Sequence, residues 1–257
     1  MTPGPSRSIH GVAGQMAQEL AHKRAQVLKL REALLGQVLE AYARQPEQGR
    51  LMVGIAGAPA SGKSTLAEWL VGCINDDLPA DKPAVVVPMD GFHLDNDILD
   101  ARGIRAVKGA PPTFDADGFK SLLQRLSAPV SETDPHPGSI EDKTLSGSIY
   151  IPLFDRKMDL ARCAAVAVEA RHRIVVVEGN YLLLDRPVWR DLAQWFDLTV
   201  SLDVPLATLE ERLIKRWLDH GFDREAATER ALSNDIPNAR VVTAESVSAH
   251  FVLEGVR

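Results

Sequence analysis

Residues 57–65 read Gly57-Ala58-Pro59-Ala60-Ser61-Gly62-Lys63-Ser64-Thr65 and satisfy the pattern G-x-x-x-x-G-K-S. Gly57 and Gly62 let the backbone curl, so that N–H groups along Ala58, Ala60, Ser61 and Gly62 converge on one anion. A helix beginning near Lys63 adds its positive amino end. In such a loop the Lys63 ammonium reaches the β and γ phosphates, and the Ser64 hydroxyl holds Mg²⁺. Thr65 either meets the α phosphate or caps the helix. The segment is a nucleoside-triphosphate site, with ATP and Mg²⁺ as the expected ligands.

Two acids stand where such a site needs them. Asp90 follows the apolar run Val85–Met89, and Glu178 follows Val175–Val177. In a parallel sheet these positions face the crevice beyond the carboxyl ends of the strands. Asp90 is the candidate general base on an acceptor hydroxyl, with a helix cap as the alternative. His93, on the same turn, either hydrogen-bonds the acceptor or packs locally. Glu178 is a candidate to orient metal-bound water or to assist Asp90; otherwise it holds an arginine. Gly179 is expected to let backbone and ligand approach closely, and Tyr181 is either a wall residue or a substrate contact.

The basic residues fall into three groups. Arg212 and Arg216 are four apart on one helix, next to the apolar face of Leu209, Leu213 and Trp217. Two guanidinium groups there suit a lid, around residues 210–225, that closes over the transferring phosphate; surface ion pairing is the alternative. Arg156 either binds an acceptor carboxylate, hydroxyl or phosphate, or pairs with Asp155 or Asp159. Lys108 borders the substrate side or the surface. Phe92, Phe114 and Tyr150 are the candidate aromatic platforms. Asn238 offers both donor and acceptor to adenine, unless it stabilises its own turn at Asn234–Asn238, and Arg240 is a candidate to stack on the base.

The elements that must position these residues follow from hydrophobic patterning. Strands are expected at Leu51–Ala56, Ala84–Met89, Ile174–Val177, Leu198–Leu202 and His250–Leu253, with a short one at Ser148–Leu153. Helices are expected at Ser64–Asn75, Phe119–Leu126, Leu160–Arg171, Leu206–Leu218 and Arg224–Asn234. Strands alternating with helices predict an α/β fold, a doubly wound and mostly parallel five-stranded sheet. The polar stretch 129–147 reads as a surface excursion. Residues 1–14 read as a loose leader. From Gln15 to Arg44 an apolar stripe runs along a helix, which packs either on the domain or on a second copy in a homodimer. Residues 1–48 are thus an extension on a domain spanning 49–257.

Composition narrows the partners. The 29 Lys+Arg against 35 Asp+Glu give a net charge of -6, which leaves no broad basic field for a nucleic-acid polymer. No apolar run suits a bilayer, and the start lacks a signal-peptide pattern. Cys73 and Cys163, ninety positions apart, form no disulfide framework and no cysteine metal centre. These features point to the cytoplasm. No guanine-reading Asn-Lys-x-Asp segment follows a late strand, and no transporter signature loop is present.

From about residue 50 to the C-terminus the chain resembles the superfamily of P-loop kinases containing phosphoribulokinase, uridine kinase and bacterial-type pantothenate kinase. Within it, the chain looks most like the bacterial fructose-transport-system kinase-like proteins. The resemblance rests on the 57–65 loop, Asp90-Gly91-Phe92, Arg102-Gly103, Lys108-Gly109-Ala110-Pro111-Pro112-Thr113-Phe114-Asp115, Pro152–Asp159, Glu178-Gly179 and Asn234–Arg240, in that order. It implies transfer of the ATP γ-phosphoryl group to a hydroxyl of a small metabolite. The lid arginines are Arg212 and Arg216. The substrate side comprises Asp90, His93, Lys108, Phe114, Arg156 and Tyr181. Phe154-Asp155-Arg156 replaces the histidine segment of pantothenate kinase. Gly91 and His93 depart from the Asp-Ser-Phe-Tyr of uridine kinase. Because His93 and Arg156 are polar and few aromatic platforms are present, a sugar-like or pantothenate-like acceptor is preferred over a nucleoside.

Overall fold

The computed structural model describes residues 9–78, 83–130 and 148–254. Helix α1 (Ile9–Ala43) leads into strand β1 (Leu51–Gly57), which is buried at every position. Helix α2 (Lys63–Asp77) and strand β2 (Ala84–Pro88) follow. A 3₁₀ turn at Met89–Phe92, helix α3 (Asn96–Ala101) and helix α4 (Ala116–Ser127) come next. Strands β3 (Ile149–Asp155) and β4 (Leu160–Val168) form a separate antiparallel pair. Strands β5 (Ile174–Gly179) and β6 (Leu198–Asp203) then rejoin the main sheet. Helices α5 (Leu206–Asp219), α6 (Arg224–Arg230) and α7 (Ile236–Glu245) precede the edge strand β7 (Phe251–Glu254).

The five-stranded sheet has the order β2-β5-β1-β6-β7, and every pairing is parallel. Its central strands are continuous apolar runs because both faces are covered. One face packs Phe119, Leu122 and Leu123 of α4 with Tyr181, Leu182 and Trp189. The other packs Leu66, Leu70 and Ile74 of α2. Leu34 and Val38 of α1 lie in that same layer, fully buried, so this part of the stripe seals the chain's own core. A third cluster joins Leu209 and Leu213 of α5 to Ile236 and Ala239 of α7, over Ala58 of the loop.

The structure corrects three sequence expectations. Residues 9–14 belong to α1 and are not leader; 1–8 lie outside the described residues, as does 131–147 of the expected excursion. The expected helix at Leu160–Arg171 is strand β4. Its alanines suit a helix by propensity, but pairing with β3 decides, and the hairpin accommodates an irregularity between Ile151 and Leu153. The expected turn at Asn234–Asn238 is helical: a π turn at Ala231–Asp235 runs straight into α7, with Pro237 in its first turn.

Because α1 closes the lower core, Leu34→Ala should destabilise the protein by about 2–5 kcal/mol. Urea unfolding followed by circular dichroism measures this. An unchanged midpoint would mean that α1 does not contribute to the folded core.

Candidate active site

Register in the sheet sets the site. Glu178 at the end of β5 lies level with Ile55 of β1 and Pro88 of β2. Asp90, Glu178 and the loop after β1 therefore emerge at one edge of the sheet, where the chain switches from one side of β1 to the other. Together they border a cleft of about 320 Å³. Its floor is Ala60, Gly62, Lys63, Ser64 and Thr65, and its sides include His93, Lys108, Arg156, Arg216 and Asn238. Ala60 at φ 61° and Gly62 at φ 100° turn the loop so that its amides face inward. The Ser61 Oγ is buried beneath the floor without a hydrogen-bond partner.

Lys63 is 8% exposed, and its Nζ donates to Ala58 O at 3.1 Å, holding the ammonium over the loop. Burial pushes its pKa down, while Glu178 and Asp90 oppose that shift. Burial pushes the Glu178 carboxyl up, opposed first by Lys63. The Ser64 hydroxyl donates to Glu178 Oε1 at 3.1 Å. A hydroxyl and a carboxylate side by side at the phosphate end are hard oxygen donors of the kind Mg²⁺ takes, together with phosphate and water. No cluster of three or more His, Cys, Asp or Glu able to hold a metal occurs among the described residues. A Mg²⁺ held partly by phosphate needs none.

Asp90 faces the cleft from the opposite side, and its Oδ2 accepts from Arg156 Nη2 at 2.8 Å. His93 Nδ1 lies 2.7 Å from Asp90 O, a carbonyl, so Nδ1 carries the proton and donates. Burial pushes the imidazole below its usual pKa, opposed by Asp90. The ring lies between Phe114 and Phe154, with centroids 4.1 and 4.5 Å away. Lys108 Nζ is tied to Asn96 Oδ1, Asp159 O and Asp159 Oδ1 at 2.7–2.9 Å.

Other expected contacts lie elsewhere. Tyr181 is fully buried and donates from its hydroxyl to Gly109 O at 2.6 Å. Phe114 is buried behind His93 and stacks edge-on against Tyr181 and Trp189. Both are the backing of the wall, not contacts. Arg240 is exposed on α7 and outside the cleft. Arg212 is also outside it: Nη1 donates to Ala60 O and Ser61 O at 3.1 and 3.4 Å, tying α5 to the phosphate loop. Gly57, Ala58 and Ser61 shape the loop from below. At Gly179 a Cβ would come within 2.5 Å of Met89 Cβ, so the chain there lies close against the turn bearing Asp90. Arg230 and Asp235, to which the sequence pattern gives no role, also border the cleft, as does Asp159, which pairs with Lys108 and not with Arg156. Their position depends on the β3–β4 hairpin and on the packing of α5 against α6, which local spacing does not encode.

A phosphate-cradling loop, a buried lysine and two facing carboxylates at the switch point of a parallel sheet define a P-loop kinase. Comparison with known proteins agrees, although no family model matches the chain. A protein of Schizosaccharomyces pombe provisionally named a uridine kinase is 34% identical over 228 residues, 85% of this chain and 90% of its own length. The ATP-dependent kinase YFH7 of Lachancea thermotolerans is 34% identical over 237 residues, covering 82% and 67% respectively. The crystal structure of a protein from Silicibacter sp. TM1040, provisionally named a fructose transport system kinase, superposes with TM-score 0.73 and 43% identity. It covers 86% of this chain and 98% of that one. The chain belongs to the family of ATP-dependent P-loop kinases represented by the fission-yeast protein and by YFH7. Among the described residues no helix is long and apolar enough to cross a membrane.

If Tyr181 is backing, Tyr181→Phe should cost about 0.5–1.5 kcal/mol of stability, by leaving Gly109 O without its donor. ATP affinity and acceptor KM should stay as in the wild type. A several-fold rise in acceptor KM would return Tyr181 to the substrate side.

Proposed function

We propose that this kinase transfers the γ-phosphoryl group of Mg·ATP to a hydroxyl of a small polar metabolite, sugar-like or pantothenate-like. The observation that carries the proposal is Asp90: a carboxylate just beyond the carboxyl end of β2, lining the same cleft as Lys63, Glu178 and the phosphate loop. The loop amides and Lys63 bind the phosphates. Ser64 and Glu178 would hold Mg²⁺, which supplies positive charge against the transferring group when bound. Asp90 accepts the acceptor hydroxyl proton as that oxygen bonds to phosphorus and the bond from phosphorus to ADP breaks. Arg216, on the lid helix and lining the cleft, adds positive charge where the γ phosphate passes. Asn238 lines the same cleft and takes the base side. It is steadied by its Nδ2, which donates to Asn234 Oδ1 at 3.3 Å.

A nucleoside acceptor is the second reading. The His93–Phe154 pair offers an aromatic wall, and the fission-yeast relative carries a uridine kinase name. ATP turnover against ketohexoses, pentoses, pantothenate and nucleosides, with products identified by mass, separates the two. Absence of any acceptor-dependent phosphorylated product would refute both.

Lys63→Ala should remove most transfer and weaken ATP binding, because a buried cation facing the phosphates is lost. Near-normal turnover by the purified variant would displace the assigned phosphate site. Asp90→Asn keeps the size but removes the basic oxygen, so kcat should fall by roughly 10²–10⁴-fold while ATP still binds. Single-turnover transfer at saturating ATP measures this, and a rate within about threefold of wild type would rule Asp90 out as the base.

A further inference from the structure

Asn234 and Asn238 are buried, at 4% and 6% exposure, four residues apart on the helical stretch that packs over Ala58 of the phosphate loop. A side-chain amide can present either its oxygen or its NH₂ group, and here the surroundings dictate which. Asn234 Nδ2 donates to Lys108 O at 2.9 Å. A backbone carbonyl only accepts, so Asn234 must turn its NH₂ group to Lys108 and its oxygen away. That oxygen, Oδ1, accepts from Asn238 Nδ2 at 3.3 Å. Asn238 is oriented in its turn. Its Nδ2 is committed to Asn234, and Oδ1 is the polar end left for the cleft that the residue lines. Among the described residues no donor meets that oxygen.

The carbonyl at the head of this relay is itself pinned. Lys108 Nζ is held by Asn96 and Asp159. The next residue is held twice: Gly109 N donates to Thr113 Oγ1 at 2.9 Å, and Gly109 O accepts from the Tyr181 hydroxyl. Turning both amides over would set Asn234 Oδ1 against Lys108 O, two acceptors in contact, and would leave a buried carbonyl without its donor. The direction of both bonds is therefore fixed from one end.

We propose that Asn234 sets the base selectivity of the kinase: by fixing the Asn238 amide, it presents to the nucleotide base a hydrogen-bond acceptor and no donor. The proposal rests on the placing of Asn238 at the base side of the cleft. An acceptor oxygen there pairs with the 6-amino group of adenine, which donates. It repels the 6-oxo group of hypoxanthine or guanine, which accepts. Discrimination comes as much from the repulsion as from the bond, and it needs an amide that cannot turn over. A freely turning Asn238 would offer its oxygen to an amino group and its NH₂ to an oxo group with equal ease. Asn238 is the contact and Asn234 a positioning residue, which touches no ligand itself.

Calorimetric titration of the full chain with Mg²⁺ and three nucleoside diphosphates tests this without any transfer step. The probes are ADP, IDP and purine riboside 5′-diphosphate, which carry an amino group, an oxo group and hydrogen at position 6. ADP should bind at least about tenfold more tightly than IDP, with the purine riboside between them. Asn234→Ala frees the Asn238 amide to turn, so the ratio of ADP to IDP affinity should fall several-fold, with IDP affinity kept or raised. A merely structural role for Asn234 would weaken both nucleotides together and leave the ratio as it was. Asn238→Ala should bring the ratio close to one. In the wild type, IDP binding as well as ADP, or no worse than the purine riboside, would overturn the proposal whatever the variants do. A ratio kept in Asn234→Ala but lost in Asn238→Ala would overturn the relay and leave Asn238 on the base side. A ratio kept in both would overturn the relay and remove Asn238 from the base as well.

Discussion

A cation buried at 8% exposure is the constraint around which the cleft is arranged. Lys63 out of water grips phosphate more strongly, yet burial disfavours its charged form. Glu178 and Asp90 oppose that shift, and Lys63 in turn opposes the shift that burial imposes on Glu178. Neither carboxylate can be understood apart from the lysine. Ser64 gives the same buried carboxylate a hydrogen-bond donor, at 3.1 Å from Oε1.

Parallel pairing of β2, β5 and β1 delivers these charges to one place. With Ile55, Pro88 and Glu178 level across three strands, the loop after β1, the turn after β2 and the end of β5 meet without any long-range adjustment. The fit is tight. A Cβ at Gly91 would lie 2.3 Å from Pro152 O, and one at Gly179 would lie 2.5 Å from Met89 Cβ. These approaches lock the Asp90 turn between the β3–β4 hairpin and β5, so the hairpin that carries Arg156 is held against Asp90 by backbone contact.

Much of this could be read from residue types because parallel strands and phosphate loops leave local signatures. Runs such as Val175–Val177 followed by an acid, or Gly57 to Thr65, carry their meaning within a few residues. The failures share a cause. Leu160–Val168 is rich in alanine and became a strand only through pairing with Ile149–Asp155. Asn234 and Asn238 suggest a turn locally, but both are buried on a helical stretch, where Asn234 Nδ2 donates to Lys108 O at 2.9 Å. Tyr181 and Phe114 stand in the right segments, yet their rings point into the core. Arg230 and Asp159 reach the cleft only because the lid helices and the hairpin fold over it. A sequence shows which residues leave a strand end, but not which distant element closes above them.

The two ends of the cleft are built differently. At the inner end Lys63, Glu178, Ser64 and Ala58 O form a closed set, already positioned for phosphate. At the outer end Arg156 is paired with Asp90, and Asp235 acts on both Arg216 and Arg230. The phosphate end is thus a preformed cradle, whereas a group that reaches Asp90 meets an ion pair already made. An exchange costs little when an equivalent partner replaces the one lost, and much when a half-buried carboxylate is uncovered with nothing offered to its arginine. The hairpin thus lays Arg156 against Asp90, and α5, tied by Arg212 to the carbonyls of Ala60 and Ser61, brings Arg216 to the edge of the same cleft.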